Sequence, residues 1–104
     1  MGKNRVIKII GRLVAGMAAH KILIKYTNRK ESLNHLRSEV GNYRDNLSEF
    51  INEFNWNDAD KKEIKQEALK SIVLEFKKPH FKDVRFPPEE PEKQIDETLK
   101  SVLD

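Results

Sequence analysis

LNHLRSEVGNYRDNLSEFINEF, the stretch at residues 33–54, decides the fold that the sequence predicts. Seven of its apolar side chains follow one another at spacings that alternate between three and four residues: Leu33, Leu36, Val40, Tyr43, Leu47, Phe50 and Phe54. This spacing places all of them on one face of an α-helix, because side chains of a β-strand alternate between two faces with a period of two. A helix with a single apolar face needs another element to cover that face.

The preceding segment repeats the same pattern. In residues 6–24 the spacings are again four and three, at Val6, Ile10, Leu13, Met17, His20 and Ile24. If the two segments pack antiparallel, facing residues should have numbers that sum to 56 or 57, and all six pairs do, from Val6 opposite Phe50 to Ile24 opposite Leu33. The matched patterns predict an antiparallel helical hairpin. A short strand is the alternative at residues 22–26, where apolar and basic side chains alternate.

Two further signals extend the prediction beyond the hairpin. Asn57 can cap a helix whose first turn carries Asp58 and Asp60. All four prolines fall between residues 79 and 91, where they favour an extended chain. The sequence thus predicts a single all-α domain over residues 1–104, a small helical bundle. Its elements are a hairpin with helices at about 4–27 and 29–54, a third helix at about 58–78, an extended Pro-rich strap at 79–90 and a short C-terminal helix at 91–103.

Composition sets the class of protein. The 104 residues are 38% hydrophobic and 36% charged, and they include no cysteine. A chain of this length forms one domain. The absence of cysteine excludes disulfides and cysteine zinc sites and suits a reducing compartment. No apolar run approaches the roughly 18 residues of a membrane-spanning helix. We therefore expect a cytoplasmic protein with no membrane span.

The first thirty residues are basic throughout. They hold eight Lys or Arg and no Asp or Glu, a charge of +8, whereas the remainder holds 12 basic and 17 acidic residues, a charge of −5. One interpretation is that the hairpin neutralises this charge internally. The pairs that it would form are Arg12 with Asp45, Lys8 with Glu49, and Lys3 or Arg5 with Glu53. The other interpretation is that this region binds a polyanion such as nucleic acid. The candidate polyanion-binding residues cluster near the turn and are Lys21, Lys25, Tyr26, Arg29 and Lys30.

The Pro-rich strap is a candidate partner-binding segment, because an extended chain with apolar anchors can dock in a groove or on a sheet edge. The candidate residues are Phe81, Val84, Phe86, Pro87 and Pro88. The alternative is that the same apolar side chains cover the helical bundle.

No arrangement of residues indicates catalysis. His20, His35 and His80 lack the spacings of metal-binding histidines. Acidic pairs such as Glu63 and Glu67 lie on the water-facing side of predicted helices, whereas general acid–base catalysis needs a desolvated pocket. We therefore expect no enzyme, metal, cofactor or small-molecule substrate. We expect His20 to be half-buried on the apolar face of the first helix.

The function most compatible with this fold is that of a small intracellular, non-enzymatic protein-binding or assembly module. Its partner would be another protein or a second copy of the chain in a homodimer. Ala15, Ala18 and Ala19 form a small-residue surface that either the third helix or a second copy must cover. The alternative function is that of a nucleic-acid-binding protein that uses the basic first helix and the following turn. A third is that of a peripheral membrane helix formed by residues 1–26.

Overall fold

A computed structural model describes residues 2–103, which form an all-α helical bundle with no strand among them. Its four helices are α1 (Lys3–Tyr26), α2 (Leu33–Ile51), α3 (Asp58–Glu75) and α4 (Glu90–Leu103). Single 3₁₀ turns occupy Lys30–Ser32, before α2, and Pro79–Phe81, after α3. The predicted fold class is confirmed. Residues 22–26 belong to the last turns of α1 and do not form a strand.

Helix α1 is the centre of the bundle, and α2, α3 and α4 all pack against it. Twelve of its 24 residues are buried, whereas α2 contributes one buried residue, Leu47. A helix of this length extends over about 36 Å, close to the 39 Å longest dimension of the molecule. The element on which the others pack is therefore α1, and not the amphipathic α2 from which the hairpin was predicted. Helix α2 covers one side of α1 with its apolar face.

Two glycines let neighbouring helices approach α1 closely. A Cβ atom added to Gly11 would lie 2.5 Å from Cβ of Glu67, at the point where α3 crosses α1. A Cβ atom added to Gly16 would lie 2.5 Å from the ring of Tyr43 on α2. Both distances are too short for two carbon atoms, so any larger residue at either position would push a neighbour away. The absence of a side chain here allows two helices to pack tightly on opposite parts of α1.

The small-residue surface of α1 is covered inside the single chain. Ala15, Ala18 and Ala19 have no exposed area. Covering by the chain's own helices was one of the two outcomes that the sequence left open, and the structure shows this one. This surface is therefore unavailable to a second copy in the folded chain.

Local hydrogen bonds determine where α2 and α3 begin. Asn57 caps α3 as predicted: its side-chain Oδ1 accepts from the backbone N–H of Asp60 at 2.8 Å, and Asp60 Oδ2 accepts from the backbone N–H of Asn57 at 3.1 Å. Asn28, with Glu31 three residues later, has the spacing of a capping box and predicts the start of α2, but this prediction is wrong. Instead, the hydroxyl of Thr27 accepts from the backbone N–H of Arg29 at 3.1 Å, and a 3₁₀ turn leads into α2.

The Pro-rich strap crosses the bundle at the end where α1 meets α2. It begins with the 3₁₀ turn and continues without regular structure to residue 89. Aromatic contacts hold it in place: the ring centroid of Phe76 lies 5.0 Å from that of Phe81 and 4.9 Å from that of Phe86. The ring of Phe86 also lies 6.3 Å from that of Tyr26. The strap therefore links the end of α3 to the end of α1.

Candidate functional site

A cavity of about 340 Å³ lies at the end of the molecule where α1 turns into α2. Helix α1, the turn, the start of α2 and the strap all contribute to its walls. The lining residues of this histidine cavity are His20, Leu23, Thr27, Arg29, Ser32, His35, Leu36, Glu39 and His80. The volume lies at the small end of the range of about 300–1,000 Å³ that is typical of small-ligand sites.

All three histidines of the chain line the histidine cavity. The ring of His20, on α1, lies 6.3 Å from the ring of His80, on the strap, and 5.2 Å from the ring of Tyr43, on α2. His20 is half-buried, as predicted, and it shares the cavity with Leu36, its predicted neighbour across the hairpin. The position of His80 was not predicted, because a segment without a helical period gives no register from which its neighbours can be derived.

A hydrogen bond to the backbone decides the tautomer of His20. Its Nδ1 lies 2.8 Å from the carbonyl oxygen of Gly16. A carbonyl oxygen can only accept, so Nδ1 carries the proton and donates. In the neutral ring Nε2 is then the unprotonated nitrogen, able to accept a hydrogen bond from a ligand.

The surroundings of His80 favour the neutral form of its ring. Burial lowers the pKa of His80 below its usual value, and the neighbouring His20 and Lys78 lower it further, while Glu75 acts in the opposite direction. The strap therefore brings to the cavity an imidazole whose charged form is disfavoured until an anion approaches. An anion placed beside it would stabilise its protonated form.

The two permanently charged side chains of the histidine cavity, Arg29 and Glu39, differ in whether they have a partner. The guanidinium of Arg29 is exposed and forms no ion pair with any residue between 2 and 103. The carboxylate of Glu39 lies 3.8 Å from Nε2 of His35, which offsets part of its charge when that ring is protonated. In the described part of the chain, no three His, Asp or Glu side chains are arranged to hold a metal ion. The cavity can recognise a ligand through charge and hydrogen bonds.

Three of the five candidate polyanion-binding residues form hydrogen bonds or ion pairs within the molecule. Lys25 Nζ lies 2.9 Å from Glu90 Oε1, and the Tyr26 hydroxyl donates to Glu90 Oε2 at 3.0 Å. Lys21 Nζ donates to the Thr98 hydroxyl at 3.1 Å. Burial lowers the pKa of Lys21, and the nearby Arg44 lowers it further. The other two candidates, Arg29 and Lys30, are exposed and form no ion pair with a described residue.

Glu90 is a buried acidic residue at the start of α4, and its burial was not predicted from the sequence. It is only 3% exposed, and three donors surround its carboxylate: Lys25, Tyr26 and Gln94, the last at 2.8 Å. The hydrogen bond from Gln94 and that from Lys25 lower the pKa of Glu90 to about 2. Gln94 and Thr98 follow it at intervals of four residues and are also buried. This polar stripe, Glu90, Gln94 and Thr98, packs against the basic end of α1.

The basic start of α1 does not pair with α2 as the hairpin predicted. Lys3 Nζ lies 2.6 Å from Asp60 Oδ2 on α3, and Lys8 and Arg12 form no ion pair with a described residue. The expected partners Asp45 and Glu49 are exposed on the outer face of α2. Since α2 directs its apolar face at α1, its acidic residues point away from the cations they were expected to meet.

The candidate partner-binding residues of the strap divide into an inner and an outer set. Phe81 is buried, and Val84 and Phe86 are half-buried against the core. Pro87 and Pro88 are exposed. The three apolar anchors make the contacts of a segment that covers the bundle, so a partner approaching the strap would meet the two prolines first.

An exposed apolar pair lies elsewhere, near the end of α3. Val73 is 55% exposed and Leu74 is 63% exposed. They are the large hydrophobic side chains that residues 2–103 leave exposed. Their exposure was not predicted: the spacing of Ile64, Ala68, Leu69, Ile72, Val73 and Phe76 predicts one buried face for the third helix, and Val73 is exposed instead.

Comparison with known proteins identifies no relative of this chain. No family model, no curated protein and no solved structure matches the chain. Of the helices within residues 2–103, none is long and apolar enough to cross a membrane.

Proposed function

We propose that the protein is a non-enzymatic protein-binding or assembly module of the cytoplasm. The observation that supports this is the exposed pair Val73 and Leu74. Single apolar side chains on a surface are common, but these two are adjacent on a helix whose other large apolar residues are at least half-buried. Covering them with a partner would remove apolar area from water, which favours association. The lack of cysteine suits the cytoplasm.

The charges around the pair indicate the kind of partner. Lys70, three residues before Val73 on α3, and Lys77, three residues after Leu74 and just past the end of α3, are both exposed. Glu67, at 4.0 Å from Lys70 Nζ, is the only acidic group that contacts either lysine among the described residues. A partner with an apolar contact surrounded by carboxylates would complement this surface.

Self-association through the same surface is less favourable. In a two-fold symmetric dimer each copy uses the same patch. With the two α3 helices antiparallel and Val73 facing Leu74 of the other copy, Lys70 would face Lys77. This like-charge contact opposes a homodimer and favours a different, acidic protein as the partner.

The test is a pair of surface variants used as bait with cell extract. Val73→Gln/Leu74→Gln should remain folded, because both side chains are exposed, and should lose the bound protein. The matched control, Lys62→Gln, changes an exposed residue of the same helix outside the pair and should retain it. The captured protein is then purified and its binding to both variants measured at about 50 and 500 mM salt. The complex should weaken at high salt.

Three results would count against this proposal. They are equal binding by the double variant and the parent, a purified complex insensitive to salt, and no reproducible complex. Sedimentation of the parent at two concentrations tests the homodimer separately. A dimer that the double variant abolishes would show that the partner is a second copy.

Nucleic-acid binding is the second candidate function, and the unpaired cations favour it. Arg5, Lys8 and Arg12 share one exposed face of α1, and none pairs with a described residue. Arg29 and Lys30 add two unpaired cations at the turn. The cations available to phosphate are thus more widely spaced than the predicted cluster near the turn.

The test compares binding of a generic duplex by Lys8→Gln/Arg12→Gln and by Lys25→Gln. The first variant removes unpaired cations and should lower both the affinity and its salt dependence, the slope falling by about 0.9 for each phosphate that the protein no longer neutralises. The second removes a cation already bound to Glu90 and should change the slope little. No binding at about 50 mM salt would eliminate this function.

A further inference from the structure

We propose that the histidine cavity binds a small organic anion, a molecule with one carboxylate or phosphate group and a short apolar part. This site is separate from the exposed pair on α3, and it does not depend on the proposed protein partner. Three features of the cavity carry the inference: an unpaired guanidinium, three imidazoles beside a single carboxylate, and an apolar wall.

Arg29 is the group that would bind the anionic head. Its guanidinium has no carboxylate partner among residues 2–103, and a planar guanidinium can donate two parallel hydrogen bonds to a carboxylate or phosphate. It lines both the histidine cavity and a smaller cavity of about 50 Å³ beside the strap, and so do Thr27 and His80. Arg29 and His80 therefore both line the junction between turn and strap, where the anionic head would contact both.

Three imidazoles and a single carboxylate make the lining of the cavity poor in negative charge. The lining holds His20, His35 and His80 against one carboxylate, that of Glu39. His35 already lies 3.8 Å from this carboxylate, which places the acidic group at the α2 side of the cavity. The anionic head would thus bind at the opposite side, near Arg29 and His80, where it avoids Glu39.

An apolar wall separates these polar groups and fits a short hydrocarbon part. Leu23 is 3% exposed and Leu36 is half-buried, and both line the cavity. Ser32, also in the lining, makes no capping hydrogen bond to α2, so its hydroxyl is free to donate to a ligand. A cavity of about 340 Å³ limits the ligand to a small molecule.

Binding should take up protons. Besides Glu39 and Arg29, the groups that face His20 and His80 are Tyr43 on α2, Glu75 on α3, and Lys78 before the strap. Lys78 opposes protonation of His80 and Glu75 favours it, while Lys78 and Glu75 also pair with each other at 2.7 Å. An anion beside His80 favours the charged form of that ring, so the affinity for a carboxylate ligand such as butyrate, which stays largely ionised over this range, should rise as pH falls. We expect affinity to be about tenfold higher at pH 5.5 than at pH 7.5.

The experiment is an NMR titration of the full chain at pH 6 with three probes: inorganic phosphate, methyl phosphate and butyrate. Shifts of the histidine ring and Arg29 side-chain signals report binding. Inorganic phosphate tests the head group alone, and the other two probes distinguish a phosphate from a carboxylate ligand. At least one of the organic probes should bind saturably.

Two neighbouring cations provide the matched variants. Arg29→Gln removes the cation that lines the cavity and should weaken binding about tenfold or more. Lys30→Gln makes the same charge change at an exposed residue outside the cavity and should leave affinity unchanged within about twofold. Glu39→Gln removes the opposing carboxylate and should tighten binding by about two- to fivefold. Circular dichroism confirms that each variant is folded.

Any of three results would overturn the proposal. They are no saturable shift with any organic probe, equal weakening by Arg29→Gln and Lys30→Gln, and affinity that does not change between pH 7.5 and 5.5. Equal weakening would indicate a general attraction of anions to a basic surface, which is the behaviour expected of the nucleic-acid function.

Discussion

Glu90 shows how a single residue fixes one helix to another. Lys25 and Tyr26 donate to its carboxylate from α1, and Gln94 donates from the next turn of α4. Because the carboxylate is buried, these three donors replace the water that it would otherwise bind. Its position therefore specifies both the register of α4 and the rotation of its polar stripe towards α1.

The Glu90→Ala variant tests this role. It leaves the buried amide of Gln94 and the hydroxyl of Tyr26 without their acceptor, so we expect unfolding free energy to fall by about 1–3 kcal/mol. Glu89→Ala removes an exposed carboxylate with no side-chain partner among the described residues and should change it by less than about 0.5 kcal/mol. Urea denaturation measures both. Equal losses would refute the proposed role of Glu90.

The same carboxylate predicts a dependence on pH. The folded chain lowers the pKa of Glu90 to about 2, against an ordinary value of 4.5. Its charge therefore stabilises the fold above pH 4.5, and that contribution is lost as pH falls towards 2. The stability difference between parent and Glu90→Ala should be constant between pH 5 and 8 and should shrink below pH 4.5. Thermal unfolding at several pH values measures it, and a constant difference down to pH 2.5 would contradict the assignment.

At the scale of the helices, the close contact between α3 and α1 depends on a glycine, Gly11, which has no side chain. Gly11 allows α3 to cross α1 closely, whereas nothing lies within 4 Å of the Cβ position of Gly41, on the exposed side of α2. Both are glycines inside helices, and each costs backbone entropy relative to alanine. The helix contact compensates for that cost at Gly11, and no contact compensates for it at Gly41.

Alanine at these two glycines should therefore act in opposite directions. Gly11→Ala places a methyl group 2.5 Å from Cβ of Glu67, with backbone atoms at 3.3 Å, so α3 must shift, and we expect a loss of about 1–3 kcal/mol. Gly41→Ala should stabilise the protein by about 0.5–1 kcal/mol. Urea denaturation again measures both, and a stabilising Gly11→Ala would mean that α1 and α3 are not in close contact.

The periodicity of the apolar residues predicted where the helices lie but not which of them is central. The pattern of residues 33–54 describes one apolar face, and α2 does have one. Helix α1 has the same stripe together with small residues such as Ala15, Ala18 and Ala19 on its other sides, which is why it can be enclosed. Its central position could have been inferred from those residues, since a helix that is apolar on most sides must be covered on most sides.

The sites were harder to predict than the helices. The hairpin register brought His20 opposite Leu36, but nothing in a Pro-rich segment determines where His80 lies. The spacing of Glu90, Gln94 and Thr98 was visible as a stripe on one face of the last helix, yet polar residues on a helix usually face water. The burial of this stripe becomes visible only in the structure, where residues of α1 contact Glu90 and Thr98.

The whole molecule should unfold as one unit, because every other helix packs on α1. We expect the amides of residues 10–23 in α1 to exchange with solvent only through global unfolding, with the same free energy as denaturant gives. The amides of α2 around Gly41 should exchange more readily through local opening, because its outer face is exposed. Native-state hydrogen exchange measures both. Faster exchange in the middle of α1 than in α2 would contradict the central position of α1.

Because α1 is central, the order of synthesis leaves its apolar surface exposed in the nascent chain. Of the four helices in residues 2–103, the one that needs the most cover is made before the other three, and α4, which closes one side of it, ends 77 residues after α1 does. At about 5–20 residues per second, the ribosome takes roughly 4–15 s to make that stretch. Until α4 is complete, α1 lacks the part of its cover that α4 provides, so the nascent chain exposes part of an apolar helix. It should therefore be a substrate for ribosome-associated chaperones until α4 is made.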